Sequence, residues 1–101
     1  MEFSVIGDEE IVLGFRFAGV PGVAVSSREE ALGAFSKATG SGDGLILILT
    51  EQVSAMIGEE VMSHQMSGSY PLIVEIPGIQ GHLENRKSLV DSIREAVGIH
   101  V

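Results

Sequence analysis

The chain has no cysteine and no tryptophan among its 101 residues. Without thiols there are no disulfides, no thiolate-bound metals and no cysteine nucleophiles, which fits a reducing compartment. Positive charge is also scarce. Six Lys and Arg stand against 14 Asp and Glu, for a net charge of -8 and a pI of about 4.6. Such a surface repels phosphate backbones and anionic lipid headgroups, and suits a basic partner. No apolar run approaches the roughly 20 residues of a membrane-spanning helix. The opening "MEFSVIGDEE" lacks the basic region and long apolar core of a signal peptide, so a soluble protein is expected.

Apolar residues make up 45% of the chain, and 13 glycines punctuate it, which is the composition of one small globular domain. "FSVIG" (3–7) reads as a buried strand. Asp8 is placed to cap a helix over 9–18, with Glu9 and Glu10 at its positive end. "GVAVS" (22–26) reads as a second strand, and "SREE" (27–30) as a capping box opening a helix that carries Ala31, Leu32, Phe35 and Ala38 and ends near Gly40. "LILIL" (45–49) shows no polar alternation and predicts a strand covered on both faces. Thr50 caps a third helix with Val53, Ile57 and Val61 at four-residue spacing, closed before Gly68. "PLIVEIPG" (71–78) is a fourth strand whose two prolines favour a sheet edge. A last helix over 86–97 carries Leu89, Val90, Ile93, Ala96 and Val97. The order βαβαβαβα predicts an α/β fold, a small doubly wound, Rossmann- or receiver-like sandwich on a four-stranded parallel sheet.

In such folds ligands meet the carboxyl ends of the strands. A dinucleotide fingerprint starting at Gly7 would need glycine at positions 9 and 12, where Glu9 and Val12 stand. "GHLENRKS" (81–88) approaches a phosphate-binding loop but places Arg86 where backbone must approach phosphate. A phosphorylatable receiver would need an aspartate after the third strand, where Thr50 and Glu51 stand, and a lysine after the last strand, where "VEIPG" supplies none. His64, His82 and His100 show no ligand spacing and read as solvated. Ser26, Ser27 and Ser88 lie in no nucleophile elbow. No catalytic, cofactor or metal site is therefore expected.

Two features remain. Ile11, Val12, Leu13, Phe15, Phe17 and Ala18 nearly encircle the first helix, which fits either a deeply buried helix or one with an apolar face for a partner. Gly14 within it costs about 1 kcal/mol against alanine, a cost that close approach of another backbone would justify. Met56, Met62 and Met66 lie on the third helix, and Met56 is read as core.

"VIGDEEIVLGFRFAGV", "LILILTEQV" and "PLIVEIPG" closely resemble the F subunit of the V-type (A-type in archaea) ATP synthases. The resemblance spans the chain and rests on Ile6, Gly7, Asp8, Gly14, Phe15, Ala18, Gly19, Thr50, Glu51, Glu75, Ile76 and Pro77. Phe17 departs from the usual leucine, and "LILT" from the usual "LIT". The resemblance implies a non-catalytic component of the central stalk, the rotor of the complex. It would bind the helical hairpin of the D subunit, turn within the head of A and B subunits, and couple ATP chemistry to proton or sodium transport from the cytoplasmic side. It also implies a single domain over 1–101 whose part 78–101 changes position and influences ATPase activity. Partner contacts are expected at Phe15, Arg16, Glu75, Pro77, Leu89, Ile93 and Arg94. A receiver-like adaptor without a phosphoacceptor and a small nucleotide-binding enzyme are the alternatives.

Overall fold

Leu47, Ile48 and Leu49 are consecutive, apolar and all buried. Side chains alternate across a strand, so burial of all three requires cover on both faces of the sheet. The computed structural model, which describes residues 3–40 and 44–78, provides that cover. Its elements run β1 (Phe3–Gly7), α1 (Glu9–Phe17), β2 (Gly22–Ala24), α2 (Arg28–Gly40), β3 (Ile46–Thr50), α3 (Glu51–Met56), α4 (Gly58–Ser67) and β4 (Leu72–Ile76). The strands form one parallel sheet in the order β2-β1-β3-β4, the doubly wound arrangement that the alternating pattern predicts.

Right-handed crossovers decide which face each helix takes. The step from β1 to β2 runs one way along the sheet, and the steps from β2 to β3 and from β3 to β4 run the other way. Val12 of α1 thus packs with Val5 and Ile48 on one face. Ala31 and Phe35 of α2, Val53 of α3 and Val61 of α4 pack with Ile6, Leu47, Leu49 and Ile73 on the other. Met56 joins this second cluster, as its place in the sequence suggests.

The predicted third helix is two helices. The chain departs from helical geometry at Ile57, with φ -125° and ψ 38°, so that α3 ends at Met56 and α4 starts at Gly58. Ile57 itself is fully buried. Val53, Ile57 and Val61 all reach one core cluster, so the four-residue spacing serves core contact and does not require a straight helix. A β-branched residue followed by glycine weakens helix propensity where the bend falls.

β4 is the edge strand beyond β3, and its prolines flank the strand instead of interrupting it. Pro71 is buried, and its carbonyl accepts a hydrogen bond from His64 Nε2 at 2.8 Å. The His64 ring also packs edge-on against Phe35, with ring centroids 5.9 Å apart. The expectation of a solvated His64 is thereby corrected: α4 carries it between α2 and the entry to β4. The predicted helix over 86–97, His82, His100 and Ser88 lie outside the described residues.

Burial predicts a contrast in stability. Leu49→Ala removes a fully buried side chain and should cost about 2–5 kcal/mol in urea unfolding. Leu72→Ala, at a site 51% exposed, should cost less than about 1 kcal/mol.

Candidate partner-binding surface

The strand-end turn comes first, because it most resembles a phosphate site. A Cβ on Gly7 would lie 2.7 Å from Thr50 Cγ2, so glycine is needed here for the close approach of β1 and the end of β3. Asp8 Oδ1 accepts the Ile11 N–H at 2.8 Å and caps α1. Thr50 Oγ1 accepts the Val53 N–H at 3.3 Å and caps α3. Nearby, Ser27 Oγ accepts the Glu30 N–H at 3.2 Å, while the Glu30 carboxylate accepts from Ser26 N–H at 2.8 Å and Ser26 Oγ at 3.0 Å. The capping box is thus present, with its return bond made one residue earlier than the N-cap. Gly7, Asp8, Ser26, Ser27 and Thr50 have structural roles here, while Gln52 Oε1, buried beside them, has no hydrogen-bond partner among the described residues. Among the described residues, no group of three or more His, Cys, Asp or Glu is placed to hold a metal ion.

The Glu30 carboxyl is held below its ordinary range, chiefly by the Ser26 backbone N–H and then by the Ser26 hydroxyl. A depressed carboxylate pKa contributes stability above its unfolded value, and that contribution is lost as pH falls through the folded value. A carboxyl NMR titration should place Glu30 below the usual glutamate midpoint. Ser26→Ala should move it only part of the way back, because the stronger backbone bond remains.

The surface departs from a satisfied fold on α1. Its C-terminus is closed by the Val20 N–H on the Phe15 carbonyl and the Gly19 N–H on the Arg16 carbonyl, both at 2.9 Å. Gly19 adopts the left-handed conformation that this closure needs, with φ 87°. At about 100° per residue, Ile11, Val12 and Phe15 share the side that packs on the sheet. Leu13 and Phe17 fall on the opposite side and are 53% and 84% exposed. Gly14 lies beside Phe17 toward Ile11, with nothing within 4 Å of the Cβ it lacks. The encircling apolar pattern therefore does not come from deep burial. The sequence signal is the excess of apolar residues over what one helix face needs, and it does not single out Leu13 and Phe17.

A second exposed apolar area lies on β4. Leu72 is in register with Ile46, and Val74 with Ile48, which places both on the α1 side of the sheet. Leu72 is 51% exposed and Val74 43%. α1 packs chiefly on β1 and β2 and is the only described helix on this face, so the β4 margin lies beyond its cover.

The expected contact residues are dispersed. Phe15 is half-buried against the α1-side cluster. Arg16 is exposed and reaches across to the Gly22 carbonyl of β2 at 3.4 Å, partly shielding that sheet edge. Glu75 lies in register with Leu49, facing the α2 side, and is half-buried; Pro77 is exposed just past β4. Leu89, Ile93 and Arg94 lie outside the described residues.

The sequence pattern of the family described as ATP synthase (F/14-kDa) subunit matches residues 3–97. The chain belongs to the family of ATP synthase F subunits. The F subunit of the A-type ATP synthase of Methanocaldococcus jannaschii is 32% identical over 100 residues, covering 98% of this chain and 97% of that protein. The subunit of the same name from Methanococcus maripaludis is 33% identical over 103 residues, covering 100% and 99%. The F subunit of the V-type ATP synthase of Clostridium perfringens is 30% identical over 101 residues, covering 99% and 94%. The chain is thus similar along its whole length to F subunits of ATP synthases of both the A and V types. No described helix is long and apolar enough to cross a membrane. In an F subunit, exposed Leu13, Phe17, Leu72 and Val74 belong to a polypeptide that has neighbouring subunits.

Proposed function

We propose that this F subunit is a non-catalytic part of the central stalk of an A/V-type ATP synthase. It binds the D subunit, turns with it inside the head of catalytic A and B subunits, and helps couple ATP hydrolysis or synthesis to proton or sodium transport. It works on the cytoplasmic side, peripheral to the membrane. The observation that carries this reading is the match of residues 3–97 to one subunit family. Two structural facts support it. The strand-end turn is accounted for by capping and by the Gly7–Thr50 approach, and large apolar side chains are exposed where a partner can meet them.

Co-expression with the D subunit tests the reading. The two chains should co-purify as a stable complex, whereas titration calorimetry of the isolated chain with ATP and magnesium should show no heat of binding. A chain that ignores the D subunit, or binds ATP with a micromolar Kd, would sink the proposal. Within this reading, Arg16→Glu and Ile93→Asp should each weaken the complex while the circular dichroism of the free chain stays unchanged. Anchors of this kind are worth about 2 kcal/mol when desolvated. A C-terminal part that changes position should show faster amide exchange over 86–97 than over 45–49 in the free chain. Equal protection would place the two segments in one cooperative unit.

A further inference from the structure

We infer that the outer face of α1, formed by Glu10, Leu13, Gly14 and Phe17, is a seat for an α-helix of the stalk partner, with Gly14 as the notch into which that helix's apolar ridge descends. This inference rests on the central-stalk reading and specifies one surface for it.

Among the described residues Gly14 has no internal explanation. It sits inside a helix, where glycine is the weakest former after proline. Its φ is not in the left-handed region, and no atom lies within 4 Å of the Cβ position. Neither backbone conformation nor packing among the described residues requires a residue without a side chain. Phe17, 84% exposed, stands to one side of it with Leu13, 53% exposed, beyond, and half-buried Ile11 stands to the other. Spacings of three and four bring Glu10, Leu13, Gly14 and Phe17 onto one outward strip. A gap flanked by two apolar walls is the surface relief that accepts a ridge from another helix, and the distance between two packed helices is set by the side chains at their contact. A flat strand or an extended peptide gains nothing from such a notch.

Charge selects the occupant further. Glu9 and Glu10 are exposed at the N-terminal end of this strip, on a chain of net charge -8. A second copy of this chain would bring the same acids to the contact, and its own net charge would oppose association. The helix that fits carries an apolar ridge with Lys or Arg at the end that meets Glu9 and Glu10. Phe15 and the sheet-facing side of α1 take no part, because they are already packed.

The test uses Gly14→Leu and Phe17→Ser in the full chain, with binding to the purified D subunit measured by calorimetry and the free chain followed by thermal melting. Gly14→Leu fills open space on a helix with a better helix former, so the melting temperature should hold or rise while affinity for the D subunit falls at least tenfold. Phe17→Ser should keep the fold and also lose at least tenfold. Gly14→Ala, which adds one methyl, should lose less than Gly14→Leu. Binding of the unaltered chain should weaken as salt rises. If the unaltered chain binds the D subunit and both variants bind equally well, the α1 seat is wrong and the stalk reading stands. If the unaltered chain does not bind the D subunit at all, both fall. Self-association of the free chain at physiological salt that Phe17→Ser abolishes would instead assign the strip to a second copy and overturn the inference.

Discussion

The structure depends on one constraint: β3 must be covered on both faces. Leu47 and Leu49 belong to one core cluster and Ile48 to the other, as Ile6 and Val5 of β1 do, so the two cores meet across the central strands. Parallel strands demand crossover connections, and right-handed crossovers assign the helices to faces. Among the described residues this leaves α2, α3 and α4 on one side and α1 alone on the other. The exposure of Leu72 and Val74 follows from that imbalance. It arises from strand order, not from any local flaw in β4.

The sequence shows this constraint in outline. A five-residue apolar run with no alternation, between a glycine-rich loop and a threonine, can hardly be anything but a two-sided strand. Capping residues are as legible, because Asp8, Ser27 and Thr50 act within three residues of themselves. What cannot be read depends on contacts distant in sequence. His64 looks like a solvated histidine until the fold brings Phe35 and the Pro71 carbonyl to it. The bend at Ile57 is hidden because a spacing of four is satisfied by a straight helix and by two helices packed on one cluster. Side-chain direction on α1 is hidden for the same reason: an apolar residue at every turn position tells of surplus, not of which residues are left outside.

The strand-end turn shows local chemistry acting on a motif that topology leaves open. Doubly wound folds bind ligands where the strand order reverses, and here that point lies between β1 and β3. A phosphate seat there needs backbone N–H groups aimed outward and free. The first turn of α1 instead donates the Ile11 N–H to Asp8, and Thr50 takes the Val53 N–H of α3. Both of these N–H groups are taken by side chains. Glu9 and Glu51, next along the chain, add negative charge where an anion would arrive. The same carboxylates that suit the positive helix ends would oppose phosphate, so capping and anion binding compete for these two N–H groups.

Exposed apolar side chains on a free subunit are an aggregation hazard, and the acidic surface bears directly on that hazard. Phe17 and Leu13 would favour contact between copies by burial of apolar area. Each copy carries a net charge of -8, and repulsion between like surfaces acts over a Debye length of about 8 Å at physiological salt. That range covers the last approach before apolar contact. Charge thus opposes contact between two copies and imposes no such barrier on a basic partner. Raising the salt concentration removes the protection and leaves the apolar attraction. The net charge and the exposed side chains are physically linked: acidity opposes contact between copies through the apolar strip.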